Sequence, residues 1–471
     1  MESTRSSTEK GRQKRMSRHS VKLDNLLKYL TAAILLVIPL YPKFPFINIP
    51  GTYVSIRFED FVIALAGLVL IKLIINDYHN FFNQKINKAI IFYLLVGLTS
   101  LASGIFVTET VLPHLGFYHF LRRIEYFIPF FLGLYALNRK SNLEFFLKVI
   151  SVALITSFIY GVGQRYFDWP IIVTQNLEYS QGVALRYISG SHINSTFAGH
   201  YDLGTYLVLL LPVFICLFFL LKEVKTRLFL LIIVSAGLWL LSYSGSRISV
   251  FSYLVSSGLA LIIIKKYREI ILVYIFSLLF FSMSQNLISR YLRIIEVTTQ
   301  KIIGAHVIQD FYNLDIYAQT QSFPEKRVLP SPTPTPPPVF EDRSTSIRLN
   351  VEWPRALRAF AKNPLLGLGF SSITLATDND FLRLLGEVGL VGFLAFALIF
   401  LGIAKKLRSV FPLSKNFKGV ELGFMAGICG SLPGIFINAF LLDVFEASKF
   451  ATIFWLVMGM VVILAQKAKY E

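Results

Sequence analysis

Apolar residues in this chain recur in runs of about 18 to 24, the length that crosses a lipid bilayer as a helix. Hydrophobic residues make up 54% of the sequence and charged residues only 16%, a balance outside the range of soluble domains. Inside a bilayer every backbone polar group needs a partner within the protein, so such runs fold as helices. The sequence therefore predicts an all-α polytopic membrane protein.

We expect about twelve transmembrane helices, nine within residues 26–284 and three within 380–466. The predicted spans lie near residues 26–41, 59–76, 89–107, 117–138, 143–163, 200–221, 228–242, 248–264, 269–284, 380–403, 420–440 and 447–465. A large extracytoplasmic loop, 285–379, precedes the tenth span and is long enough to need its own helices or a function. Its proline-rich stretch 329–340, LPSPTPTPPPVF, predicts an extended, solvated spacer.

The net charge of +18 is explained by membrane topology rather than by a nucleic-acid partner. The basic residues lie in the tail 1–25, which we expect to be cytoplasmic and disordered, in the tail 467–471 and in alternate short connections. No small-x-small cleavage site follows the apolar run Leu26–Tyr41, which predicts an uncleaved first helix. Both termini are therefore expected on the cytoplasmic side, with the excess positive charge facing anionic membrane lipid.

Five arginines are expected at the outer ends of the spans or in the outer loops: Arg122, Arg123, Arg186, Arg247 and Arg348. An ionisable side chain costs roughly 2.5 to 3.5 kcal/mol at the centre of a membrane helix, so such residues need an explanation. Each arginine could reach lipid headgroups or pair with a carboxylate such as Glu125. Several converging guanidinium groups would instead bind phosphate oxygens, and a lipid-linked diphosphate is the natural anion at that depth.

Other polar groups lie close to the predicted outer face. His192 and His200 are either surface hydrogen-bonding groups or participants in substrate binding and catalysis, and their spacing predicts no metal site. Asp378, Asn379 and Asp380 directly precede the tenth span. One of the two carboxylates could cap that helix, or a carboxylate held over the membrane could remove a proton from an acceptor hydroxyl.

These pieces together resemble the O-antigen ligase and O-antigen polymerase superfamily of bacterial envelope glycan enzymes. The motifs that carry the resemblance are the Arg186 segment with the following GSHINSTFAGHYDLG, SGSR at 244–247, Arg348 and Trp353 ahead of NPLLGLGF at 363–370, and DNDFLRLLGEVGLVGFLAF from 378. A chain of about twelve helices with a large outer loop before the tenth also fits this family, and the likeness extends over most of the sequence.

The resemblance implies transfer of a glycan from undecaprenyl diphosphate, or a similar polyprenyl carrier, to an acceptor sugar at the outer face of the bacterial cytoplasmic membrane. Arg186, Arg247 and Arg348 would hold the donor diphosphate. The ligase branch commonly has a histidine, regarded as the base, before the asparagine of the last motif, whereas this chain has Asp378 before Asn379. Beside several arginines we expect the pKa of Asp378 to be lowered.

The predicted function is therefore that of a membrane glycosyltransferase, polymerase-like rather than ligase-like, acting on a lipid-linked oligosaccharide donor and a glycan or glycolipid acceptor. It needs no metal or other cofactor, because the carrier diphosphate is already an activated leaving group. We predict catalytic roles for Asp378 and Arg247 and substrate binding by Arg186, Arg348, Asn379, Arg122, His192 and His200. The alternatives are a lipid-linked oligosaccharide flippase or other transporter, and a non-catalytic glycan-binding scaffold.

Overall fold

The structure is a computed structural model that describes residues 23–42, 45–48, 55–137, 140–172, 184–185, 191–284, 346–373 and 376–469. Three features singled out in the sequence lie outside these residues: most of the basic amino-terminal tail, the proline-rich spacer at 329–340, and Arg186.

The described part of the chain is helical over each of the predicted spans. The helices are α1 Leu23–Leu40, α2 Phe58–Asn76, α3 Tyr78–Asn83, α4 Lys85–Phe106, α5 Pro113–Ala136, α6 Lys140–Tyr166, α7 His200–Leu220, α8 Val224–Ser244, α9 Arg247–Ile263, α10 Tyr267–Ser282, α11 Trp353–Lys362, α12 Asp380–Arg408, α13 Leu413–Asn416, α14 Gly419–Leu441 and α15 Ser448–Lys467. Two short antiparallel strand pairs, which the all-α prediction omitted, are β1 Pro45–Asn48 with β2 Ser55–Arg57, and β3 Ile171–Ile172 with β4 Ala184–Leu185.

Eight helices in the described part of the chain are long and apolar enough to span a membrane, namely α1, α4, α6, α7, α8, α12, α14 and α15. The chain is therefore a polytopic membrane protein. The other predicted spans differ in length or charge, since α9 and α10 have only 17 and 16 residues. Helices α2 and α5 each include both acidic and basic residues. The total of about twelve spans stays a prediction.

Helices α7, α9 and α14 pack closely because small residues line their contacts. A Cβ added to Gly427 would lie 2.6 Å from the backbone nitrogen of Val213, and one added to Gly430 would lie 2.5 Å from that of Ala260. Such small residues let membrane helices approach backbone to backbone. Near one end, the Asn438 side chain of α14 donates to a hydroxyl of α7 at 2.9 Å and accepts from a hydroxyl of α9 at 2.8 Å. These contacts hold the amino-terminal ends of α7 and α9 side by side.

Helix α12 is interrupted at Gly389, where φ is 66° and ψ is −171°. A straight helix of its 29 residues would measure about 43 Å, well beyond the roughly 30 Å of a bilayer core. The loop 363–370 inserts at the interruption and forms four backbone hydrogen bonds with residues 386–391, including one of 2.8 Å from the Leu390 N–H to the Pro364 carbonyl. The break divides α12 into a short first segment and a longer span, whereas the sequence predicted one continuous helix.

Candidate active site

The start of α12 and the end of the large loop meet through an ion pair between Arg348 and Asp378. Nε and Nη2 of Arg348 lie 2.9 and 2.8 Å from Oδ2 of Asp378. Arg348 begins a short π-helix, Arg348–Glu352, that continues directly into α11, and its side chain is buried. Two residues predicted from separate motifs therefore lie in one site.

Burial determines the acid–base behaviour of this pair. The pKa of Asp378 is raised, because the loss of solvation outweighs the opposing effect of Arg348, and nearby Asp443 raises it further. The expectation of a lowered pKa was wrong, since it considered the arginines and not the burial. Burial lowers the pKa of Arg348, but Asp378 and then Tyr201 outweigh this effect, so the pKa of Arg348 is raised overall.

His192 and His200 are stacked on each other, with ring centroids 4.4 Å apart and an interplanar angle of 28°. His200 begins α7, and its ring centroid lies 4.0 Å from that of Tyr201, the residue that interacts with Arg348. On the other side, Nδ1 of His192 lies 2.5 Å from the position that a Cβ on Gly245 would occupy. The two histidines therefore connect the Arg348 side of the site with the SGSR turn.

In the SGSR turn, position 245 requires a glycine. Gly245 has a φ of +64° and follows the last residue of α8. Ser246 then caps α9 by accepting a hydrogen bond from the Ser249 N–H at 3.3 Å. Arg247 is the first residue of α9 and is partly exposed. The turn therefore places the amino terminus of α9 two residues after the glycine that lies against His192, and a helix amino terminus favours a bound anion.

Arg122 is held by a carboxylate at the start of α2 and by one in its own helix, α5. Its Nη1 lies 2.8 Å from Oδ1 of Asp60 and 3.0 Å from Oε2 of Glu125, and its Nη2 donates to the Ser55 carbonyl at 3.0 Å. These contacts fit the alternative interpretation of this arginine, an ion pair with Glu125. The structure does not bring Arg122 into contact with Arg348 or with the histidines.

Asp443, in the connection between α14 and α15, contacts the backbone on both sides of Asp378. Its Oδ2 accepts from the Thr377 N–H at 2.7 Å, and its Oδ1 accepts from the Asn379 N–H at 3.2 Å. The Asn379 side chain caps α12 by accepting from a backbone N–H at 2.9 Å. The predicted cap was a carboxylate, but the short amide side chain between the two carboxylates fills this position. Asp443 was not among the residues predicted for the site.

Beneath this loop lies a buried cluster of charges that the sequence did not reveal. Arg383 Nε and Arg123 Nη2 each lie 3.5 Å from a carboxylate oxygen of Glu387. Arg123 also pairs with Glu446, and Arg383 Nη1 lies 3.2 Å from Oδ2 of Asp443. The arginines of α5 and α12 are thus neutralised by acidic residues of α12 and of the connection before α15. The spacing of Arg383 and Glu387, four residues apart in a predicted helix, was the signal in the sequence for an ion pair here.

Glu352 is a further acidic residue of the site that the sequence analysis missed. It ends the π-helix about one turn after Arg348, and its buried Oε2 has no hydrogen-bond partner within the described part of the chain. Burial, reinforced by Asp378 and Asp443 and opposed by Arg348, raises the pKa of Glu352 to about 7. Its carboxyl group therefore exchanges a proton near neutral pH. In the sequence it reads as an ordinary charged residue of a solvated loop.

Comparison with known families identifies part of this arrangement. No curated protein matches the chain. Residues 230–397 match the family model described as O-antigen ligase. The matched segment includes four of the residues predicted for the site, Arg247, Arg348, Asp378 and Asn379. The match confirms the resemblance that the motifs indicated and assigns the segment 230–397 to the O-antigen ligase family.

Proposed function

We propose that this protein is a membrane glycosyltransferase that moves a glycan from a polyprenyl diphosphate carrier to an acceptor sugar at the outer face of the membrane. The observation that carries the proposal is the ion pair between buried Arg348 and partly buried Asp378 beside the stacked histidines. It combines a fixed cation with a carboxylate of raised pKa at one end of the helix bundle. The match to the O-antigen ligase family supports the same chemistry.

On the donor side, Arg247 and Arg348 bind the diphosphate, together with Arg186 from the adjoining outer loop. The amino terminus of α9 adds backbone N–H groups and the positive end of a helix dipole. The diphosphate gains negative charge as its bond to the sugar breaks, so fixed cations stabilise the transition state more than the bound substrate. The stacked rings of His192, beside Gly245, and His200, beside Tyr201, would contact the donor.

On the acceptor side, Asp378 accepts the proton of the attacking hydroxyl. The acceptor oxygen forms a bond to the anomeric carbon, and the bond from that carbon to the diphosphate oxygen breaks with its electron pair. The raised pKa of Asp378 makes it a stronger base than a solvated aspartate, which favours the transfer. Arg348 holds the carboxylate in place through two hydrogen-bonding nitrogens.

The distribution of charge supports an outward-facing site. The site lies at the amino-terminal ends of α7, α9 and α12, and the far end of α12 carries Lys405, Lys406 and Arg408. Basic residues concentrate on the cytoplasmic side of membrane proteins. This end of α12 is accordingly cytoplasmic, and the site then faces the outside, where lipid-linked glycans are joined.

Reconstitution tests the proposal. Purified protein in liposomes receives a polyprenyl-diphosphate oligosaccharide and a glycan acceptor, and the products are separated as a ladder, a single transfer or none. We expect Arg348→Ala and Asp378→Asn to lower the transfer rate by about 100-fold or more, as for other groups that act on the transition state. Arg358→Ala, at an exposed arginine of α11, serves as the control and should retain the normal rate.

The same assay separates the alternatives. A ladder of products indicates a polymerase, and a single addition indicates a ligase. Full activity of the folded Asp378→Asn protein would overturn the assignment of the base. Movement of the carrier across the membrane without a new glycosidic bond would instead show a transporter.

A further inference from the structure

Two connecting segments meet around Asp378: residues 376–380, which include the first residue of α12, and residues 442–447 between α14 and α15. Each connection donates backbone N–H groups to a carboxylate of the other. Asp443 accepts from Thr377 and Asn379 at 2.7 and 3.2 Å. Asp380 accepts from the N–H groups of Val444 and Phe445 at 2.8 and 3.1 Å. The two connections are therefore locked together reciprocally.

The lock resists competition from water. Asp380 is buried, and the side chain of Asp443 is only 12% exposed. Arg383 stabilises the arrangement by placing Nη1 3.2 Å from Oδ2 of Asp443 and by donating through Nη2 to the Ile373 carbonyl at 3.1 Å. Hydrogen bonds that involve a charged group in such surroundings are stronger than those between neutral partners.

The residue between the two bonded amides has an unusual backbone. Asp378 has a φ of +49°, in the left-handed region that residues other than glycine rarely adopt. Such a conformation persists where the surrounding contacts determine it. Here the carboxylate of Asp443 binds the N–H groups of Thr377 and Asn379, the residues on either side of Asp378, and the side chain of Asp378 projects towards Arg348.

We infer that Asp443 is the positioning residue for Asp378: by binding the amides on both sides of it, Asp443 holds the carboxylate of Asp378 where the acceptor hydroxyl is deprotonated. This inference rests on the proposed function, because it needs Asp378 to take part in the transfer. In this role Asp443 acts on the reaction through Asp378 and not through donor or acceptor. Its effect should therefore appear in kcat and vanish when Asp378 is already disabled.

A double-mutant cycle tests this dependence. Asp443→Ala and Asp443→Asn are made in the wild-type protein and in the Asp378→Asn protein, and kcat and KM for the lipid-linked donor are measured in liposomes. Asparagine offers one carbonyl oxygen for the two amides, so it should preserve part of the function. Glu109→Ala, at an exposed carboxylate of the connection between α4 and α5, is the control. Thermal unfolding in detergent reports the fraction of each variant that is folded.

We expect Asp443→Ala to lower kcat by about 10- to 100-fold with little change in KM. The kcat of Asp443→Asn should lie between those of Asp443→Ala and the wild type. In the Asp378→Asn background, neither substitution should change kcat by more than about twofold. Equal losses in both backgrounds would overturn the inference. If Asp443→Ala fails to fold, Asp443→Asn alone completes the cycle. Wild-type activity of the Asp378→Asn protein would instead refute the proposed role of Asp378 in the transfer, and would leave the contact of Asp443 with the Thr377 and Asn379 N–H groups unaffected.

Discussion

The interruption of α12 predicts that Gly389→Ala destabilises the protein. The backbone of Gly389, with φ of 66° and ψ of −171°, lies in a region essentially restricted to glycine, and an alanine there costs about 1 to 3 kcal/mol. An added Cβ would also lie 2.3 Å from the Leu365 carbonyl oxygen and 2.5 Å from the Gly367 nitrogen. Because both are backbone atoms, the clash is relieved only by moving the inserted loop.

Moving the loop breaks hydrogen bonds between residues 363–370 and 386–391. Four such bonds connect the two segments, and each contributes about 0.5 to 1.5 kcal/mol. Together with the backbone strain, loss of all four bonds gives an expected cost of roughly 3 to 9 kcal/mol. The control is Gly402→Ala, further along α12, where the Cβ would lie 3.0 Å from the flexible Ile86 side chain.

Thermal unfolding of the purified variants in detergent measures the difference. Gly389→Ala should unfold at a clearly lower temperature than the wild type and Gly402→Ala, and its glycan transfer should fall because the inserted loop lies directly before Asp378. An unfolding midpoint within about 2 °C of the wild type corresponds to a loss below about 1 kcal/mol. That result would refute the conclusion that the inserted loop enforces the break.

Three further predictions concern single residues. Glu352→Gln should flatten the pH dependence of stability, measured by thermal unfolding at several pH values. Because the pKa of Glu352 is raised to about 7 in the folded protein, wild-type stability should fall as the pH rises from about 5 through 7. Lys449→Met should cost roughly 3 kcal/mol, because three buried carbonyls lose their donor, whereas exposed Lys415→Met should cost little. Gly245→Ala should displace His192, so the rate of glycan transfer in liposomes should fall clearly while the unfolding temperature changes little.

The positions of the helices could be predicted from the sequence because their signal is local. An apolar run of membrane length has one stable conformation in lipid, whatever its neighbours are. The interruption of α12 could not be predicted in this way, since residues 380–403 read as one apolar run. Its cause is the loop 363–370, whose backbone replaces the missing helical hydrogen bonds, and nothing in the local composition identifies that partner.

For the site, the sequence identified the residues that are conspicuous in an apolar chain and missed those whose partners are remote. Arg348 and Asp378 stood out as ionisable groups beside a predicted span, and the structure pairs them. Asp443 and Glu446 lie in a short polar connection that reads as solvent-exposed. Their partners are about 60 and 320 residues away in the chain, beyond the reach of any local pattern.

The arginines at this end of the bundle divide into two kinds, which bears on how many of them bind the donor. Arg122, Arg123 and Arg383 each pair with two or more carboxylates of their own helix or of neighbouring segments, so they balance buried negative charge and fix helix ends. An anionic ligand could recruit them only by leaving those carboxylates buried and unpaired, at a cost of several kcal/mol. Arg348 pairs with one carboxylate, that of Asp378, and both of its contacts, from Nε and Nη2, are to the same oxygen, Oδ2. Its guanidinium group therefore retains N–H donors for a second anion. A count of arginines in the sequence therefore overstates the proposed diphosphate site, because the carboxylate partners separate the arginines proposed to bind it from those that stabilise the fold.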